Sequence, residues 1–197
     1  GNMKRVAVTG LGIISPVGND IETFFNNLIN GVCGIDFITK FDTSDFKVKI
    51  AAEVKNFEPT DFIDRNEARK MDLFTKYALV AAMQAVKDSG IENKIEPERL
   101  GVYVGSGIGG MNTFVEQTTN LLNFGPKKIS PFFIPMLISN IASGLIAIKY
   151  NAKGVCLPVV TACATSTTAI GEAFRAIKHG YADAIIAGGA EATINPL

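Results

Sequence analysis

Short unbroken apolar runs alternate along the chain with longer segments in which apolar positions recur every three or four residues. Val6–Val8, Leu100–Val104, Leu157–Thr161 and Ala184–Ala187 are runs of the first kind and predict buried strands. Between Asp72 and Ser89 the residues Leu73, Tyr77, Val80, Ala81 and Ala85 follow helical spacing, and Gly90 marks the stop. Asp20 offers an N-cap for a helix to about Leu28. Further helices are predicted over Asn112–Leu122, Asn140–Tyr150 and Ala164–Lys178, the last closed by Gly180. Residues 31–60 are turn-rich, with Lys47–Val54 an exposed strand or hairpin arm, and the stretch holding Pro126, Pro131 and Pro135 reads as a loop. Strands that alternate with helices and lack polar alternation predict an α/β protein, its mixed, mainly parallel sheet covered by helices on both faces.

Composition agrees with a buried sheet: 47% of the 197 residues are hydrophobic and 19% are charged, a balance that excludes a disordered chain. Formal net charge is zero and no dense basic stretch occurs, so nucleic acid is not an expected partner. The apolar stretches are too short or too interrupted to cross a bilayer, and near the start no charged region is followed by an apolar core long enough for a secretory signal. A cytoplasmic protein with no membrane partner is expected. Gly1 and Asn2 precede Met3 and read as a tag remnant. Cys33, Cys156 and Cys163 are odd in number and form no C-x-x-C pair, which argues against a disulfide framework and against a zinc site.

Gly105-Ser106-Gly107-Ile108-Gly109-Gly110 matches the spacing of a dinucleotide-binding turn between a strand and a helix. That turn also requires an acidic residue about 20 positions on, to hold the ribose. No Asp or Glu occurs between Glu116 and Glu172. The first strand fails as well, since Gly10 and Gly12 lead into Ser15 and Pro16. The glycines are better read as permitting close backbone approach.

Cys163 stands where a β-branched run, Val159-Val160-Thr161, meets a helix rich in small residues. At such a junction the side chain projects from the top of the sheet. The helix N-terminus supplies unpaired N–H groups and partial positive charge, which favour the reactive thiolate. The cysteine's own N–H is placed to receive an oxyanion. Cys33 and Cys156 occupy no such junction and read as small buried hydrophobes. On placement alone, nucleophile and core residue are equal readings of Cys163.

A series of motifs shifts that balance. They run Arg5-Val6-Ala7-Val8-Thr9-Gly10-Leu11-Gly12, Ser15-Pro16-Val17-Gly18, Arg69-Lys70-Met71-Asp72, the Gly105–Gly110 stretch, Pro131-Phe132-Phe133-Ile134-Pro135, Thr161-Ala162-Cys163-Ala164-Thr165-Ser166 and Ala187-Gly188-Gly189-Ala190-Glu191. In this order and spacing, residues 3–197 resemble the amino-terminal half of the elongating β-ketoacyl-[acyl-carrier-protein] synthases. The resemblance implies a thiolase-like fold built from two related halves, of which the carboxy-terminal one is absent here.

It also implies an acyltransferase of fatty-acid elongation. Cys163 would accept an acyl chain from acyl-carrier protein, and decarboxylative condensation with malonyl-carrier protein would give 3-oxoacyl-carrier protein. No resident cofactor is implied, because phosphopantetheine arrives on the carrier protein. By the same resemblance Ile108 gates the acyl pocket, and Phe133 and Ile134 wall it from across a homodimer interface. Leu157–Val160 lies at the two-fold. Arg65, Arg69 and Lys70 match a patch that receives the acidic carrier protein, with Asn66 standing at one position that is basic in the family. The family's catalytic histidines and lysine belong to the other half. His179, beside Gly180 at a helix end, reads as structural. A coenzyme A-dependent or polyketide-type condensing enzyme and a non-catalytic half-domain are the competing readings. The Pro131–Pro135 loop and the glycine stretch favour the elongating type.

Overall fold

The computed structural model describes residues Lys4–Leu197, so Gly1 and Asn2 lie outside the described residues. Its centre is a parallel pair of strands, β3 (Leu100–Gly105) and β4 (Ala184–Gly189), with Leu100 opposite Ala184 and Gly105 opposite Gly189. Every residue of β3 is buried, because helices cover both faces. The two-residue period of a strand divides the side chains between them. Leu100, Val102, Val104 and Ile186 join Phe74, Val80 and Ile146 from α3 (Leu73–Ser89) and α6 (Ile141–Lys149). Tyr103, Ile185 and Ala187 face Ala169, Ala173 and Ala176 of α7 (Thr165–Lys178). Small residues on α7 let the helix lie close to the sheet. Burial, with Glu172 nearby, pushes the Tyr103 phenol up, so it stays protonated.

Local signals start and stop these helices where the sequence places them. Asp20 accepts from Thr23 N at 2.8 Å and caps α1 (Ile21–Ile29). Asp72 caps α3 through Phe74 N at 3.1 Å, and Gly90 ends it. The predicted hairpin arm is real but short: β1 (Ile35–Phe37) and β2 (Ile50–Ala52) pair antiparallel. Buried Glu53 anchors them, accepting from Thr39 N, Thr39 Oγ1 and Lys40 N. Burial pushes the Glu53 carboxyl up, but these hydrogen bonds outweigh it and hold the group below the usual carboxylate range. The Arg99–Asp183 ion pair, at 2.9 Å, joins the approaches to β3 and β4.

Two predicted strands are not strands. Val6–Val8 makes no ladder, and Val8 is 79% exposed. The chain just after it is bound to α3 instead, where Leu11 N donates to Asp88 and Ile13 N to Gln84, at 3.0 Å each. Leu157–Thr161 also fails to pair beyond its start. Cys156 forms a single parallel bridge to Val102, Leu157 N donates to Val102 O at 2.9 Å, and the segment then diverges. It crosses the end of β3 so closely that a Cβ on Gly105 would lie 2.0 Å from Val159 O. An apolar run reports a preference for burial, whereas a ladder also requires a neighbour in register. The proline-bearing loop is more ordered than predicted, holding a 3₁₀ turn at Pro126–Lys128 and a short helix, α5 (Phe133–Leu137). Among the described residues no helix is long and apolar enough to cross a membrane.

Candidate active site

Cys163 lies in a 3₁₀ turn, Ala162–Ala164, directly before α7. Ala162 has φ +52°, a left-handed conformation that costs a residue with a Cβ about 1–2 kcal/mol. Surrounding hydrogen bonds hold the turn in that state. Thr161 N donates to the Oγ1 of buried Thr165 at 2.9 Å, and Ala164 N donates to Thr161 O at 3.0 Å. The Thr161 and Thr168 hydroxyls meet at 2.7 Å. The strand-to-helix junction expected from the sequence is thus a strained turn between an extended segment and a helix. Cys163 is exposed, and its N–H has no acceptor among the described residues. A thiol and an unengaged N–H at one helix N-terminus can attack a carbonyl carbon and hydrogen-bond the resulting oxyanion.

The other two cysteines are exposed as well, which corrects their reading as buried hydrophobes. Cys33 lies in the loop after α1, where its thiol has only a 4.0 Å contact to Ile35 O, and Cys156 sits on the single bridge at the sheet edge. Exposure therefore does not distinguish Cys163; the strained turn at the start of α7 does.

The glycine stretch closes over this turn. Ser106 is fully buried, and its hydroxyl donates to Glu191 at 2.8 Å while accepting from Gly109 N at 3.0 Å. Glu191 also accepts from Gly107 N at 2.9 Å and Ile108 N at 3.2 Å. The donors that a dinucleotide turn would offer to a pyrophosphate are thus satisfied by a carboxylate of the chain itself. Gly109 has φ +78°, and Gly110 N donates to Leu137 O of α5 at 2.9 Å. On the other side Gly107 abuts the Cys163 turn, where a Cβ would lie 3.4 Å from Ala162 Cα. Ile108 therefore rides on a turn wedged between the Cys163 turn and the helix bearing Phe133 and Ile134. Ile108 and Ile134 are exposed, and Phe133 is half-buried with its ring centroid 6.4 Å from that of Phe114.

Two buried or anchoring residues went unassigned in the sequence. Asp72, besides capping α3, accepts from Thr113 N at 2.9 Å and Thr113 Oγ1 at 2.6 Å. It thereby fixes the start of α4 (Met111–Phe124), the helix that leaves the glycine turn. Glu191 could have been noticed as the lone acid directly following the apolar run that ends at Gly189. Asp72 carried no comparable signal, because any helix start favours Asp.

The basic residues lie on and just after α2 (Arg65–Ala68), which Asp64 caps through Asn66 N and Glu67 N. Arg65, Arg69 and Lys70 are all exposed, and none is ion-paired among the described residues. Lys70 Nζ stands 5.0 Å from the ring centroid of Phe132, so the patch reaches the loop that carries Phe133. His179 caps the far end of α7, its N–H donating to Arg175 O at 3.0 Å. Among the described residues no group of three His, Cys, Asp or Glu side chains is gathered closely enough to hold a metal.

The family model for the β-ketoacyl synthase N-terminal domain matches residues 3–197. The chain belongs to the β-ketoacyl synthase family. This ketoacyl synthase chain is 52% identical, over 192 residues, to the 3-oxoacyl-[acyl-carrier-protein] synthase 2 of Staphylococcus aureus (strain COL), covering 97% of itself and 46% of that protein. Among solved structures it resembles the ishigamide ketosynthase/chain length factor, with a TM-score of 0.88 and 30% identity over 98% of this chain and 48% of that one. It also resembles a type II PKS ketosynthase, solved with its acyl-carrier protein and bound to the hexaketide (TM-score 0.82, 26% identity, 98% and 52% coverage). The ketoacyl synthase chain thus spans about half the length of the curated relatives it matches. Its fold is the thiolase-like one that the motifs implied.

Proposed function

We propose that the chain forms the amino-terminal half of a 3-oxoacyl-[acyl-carrier-protein] synthase, with Cys163 as the acyl-accepting nucleophile. The observation that carries this reading is the Cys163 turn: an exposed thiol, a strained preceding residue and an unengaged N–H at the start of α7. The thiolate attacks the acyl thioester carbonyl of acyl-carrier protein, and the Cys163 N–H receives the oxyanion. Collapse expels the phosphopantetheine thiolate, which takes a proton, and leaves the acyl group on Cys163. Malonyl-carrier protein then loses carbon dioxide, and its carbanion attacks the new thioester. The carbon–sulfur bond to Cys163 breaks, so the thiolate is regenerated and 3-oxoacyl-carrier protein departs. The other half supplies the histidines for the second step. No resident cofactor takes part, and the reaction belongs to the cytoplasm.

Arg65, Arg69 and Lys70 form the docking patch for the carrier protein. The support is their freedom from ion pairs among the described residues and the solved neighbour in which an acyl-carrier protein is bound to its ketosynthase. A homodimer across the Leu157–Val160 segment accords with the exposed Leu157 and Val160 there. Ile170 and Phe174, exposed on the outer face of α7, are the place for the other half. The test joins this chain to a carboxy-terminal half and supplies acyl-carrier protein. Mass mapping is expected to find one acyl group on the Cys163 peptide, with 3-oxoacyl product on addition of malonyl-carrier protein and none from the chain alone. Acylation elsewhere, or transfer from acyl-coenzyme A only, would overturn the reading.

Substrate length tests the pocket separately. Ile108→Phe adds bulk on a turn that faces both the nucleophile and α5. In the complete enzyme it is expected to lower kcat/KM for medium and long acyl chains by about ten-fold or more, while sparing short ones. Equal loss at every length would make Ile108 a packing residue.

A further inference from the structure

Glu191 does more than end β4. The segment after the strand straps back over the glycine turn at four places. Ala190 N donates to Gly105 O at 3.1 Å, Glu191 takes three donors from Ser106, Gly107 and Ile108, and the Asn112 amide donates to Ala192 O at 2.8 Å. Asn195 then donates to Asn112 Oδ1 at 2.9 Å. Within this strap only Glu191 reaches the two residues nearest the nucleophile turn. Its carboxylate is the acceptor for the backbone N–H of Ile108 itself, and Gly107 is the point where the turn meets Ala162. Charge-assisted bonds of this kind are roughly twice as strong as neutral ones. Without Glu191, the Gly107 and Ile108 amides lose their only acceptor among the described residues, and buried Ser106 loses its acceptor too.

We propose that Glu191 is the positioning residue that sets the acyl-pocket turn, and with it Ile108, against the Cys163 turn. This rests on the reading of Ile108 as an acyl-pocket residue. Glu191 touches neither the thiol nor the acyl carbon; it acts through the backbone of residues 106–108. Losing it lets the turn drift, which changes which acyl chains fit more than how fast the thiol reacts. A glutamine can keep one oxygen in place for Ser106 and Gly107 and so retains most of the clamp.

The experiment uses the complete enzyme with Glu191→Ala and Glu191→Gln, and reads two quantities. Hydrogen exchange at the Gly107 and Ile108 amides is expected to quicken about ten-fold or more in the alanine variant and to return most of the way in the glutamine variant. The ratio of kcat/KM for long to short acyl chains is expected to change about ten-fold in the alanine variant, with the rate of Cys163 alkylation unchanged. Unchanged exchange at both amides overturns the clamp. Faster exchange with an equal loss at every chain length overturns the link to acyl selection. An enzyme with native Glu191 that acylates nothing would defeat the functional reading instead, while the exchange measurement still reports on the clamp.

Discussion

Cys163→Ala is expected to lower condensation by the complete enzyme by about 10⁴-fold or more while leaving its fold intact. The first figure follows from the chemistry. A covalent nucleophile divides the exchange of thioester for carbon–carbon bond into two steps, and Cys163 carries the one thiol at the start of α7. Of the hydroxyls nearby, that of Thr161 is engaged with Thr168, and that of Thr165 accepts from Thr161 N. Loss of the nucleophile in a well-assembled site costs factors of this order or larger. The second expectation follows from packing. The Cys163 side chain is exposed and makes no hydrogen bond among the described residues, so its truncation changes stability by less than about 0.5 kcal/mol. Turnover assays with acyl- and malonyl-carrier protein, paired with thermal unfolding, separate the two effects. Activity retained within ten-fold would move the nucleophile elsewhere, and the exposed Cys33 and Cys156 would be the next to replace.

Gly105→Ala is expected to destabilise the protein by about 3 kcal/mol or more, the upper end of what overpacking costs. The added methyl would stand 2.0 Å from Val159 O and 2.7 Å from Thr165 Cγ2. Neither neighbour can yield cheaply. Val159 O belongs to the extended segment that crosses the sheet toward Cys163, and Thr165 is buried while its hydroxyl holds Thr161 N. Relief would therefore displace the Cys163 turn, and the variant is expected to lose activity together with stability. Gly171→Ala on α7 is the matched control, since a Cβ there meets nothing within 4 Å. In a helix interior that exchange should stabilise by about 0.5–1 kcal/mol. Thermal unfolding checks both, and similar melting temperatures for the two variants would show that the crossing at Gly105 is loose.

Much of the fold was legible because its signals are local. Asp20, Asp72 and Gly90 act within one turn of where they stand, so α1 and α3 begin and end as the pattern predicts. The uninterrupted apolar runs of β3 and β4 predicted a sheet covered on both faces, and the two clusters of core side chains are that covering. Val6–Val8 and Leu157–Thr161 show where local reasoning ends. Both are apolar enough for a strand, yet the first makes no ladder and leads into a segment bound to α3, and the other crosses the end of β3. Pairing depends on which backbone lies alongside, a relation between segments far apart in the chain.

The candidate site divides in the same way. The sequence by itself determined the residue types and their order: a cysteine at the entry to a small-residue helix, a glycine turn with Ile108, a proline-bounded Phe133-Ile134 and the basic residues Arg65, Arg69 and Lys70. Those features depend on neighbours in the chain, and their combination identified the family. Only the tertiary structure decided that Ala162 takes φ +52° and that Cys33 and Cys156 are exposed. It alone showed that Asp72 joins α3 to α4, and that Glu191 reaches back 83 positions to Ile108 N. Each of these is a long-range contact or a conformation imposed by one. A residue's type states what it can bond, but the partner is chosen by how the layers pack.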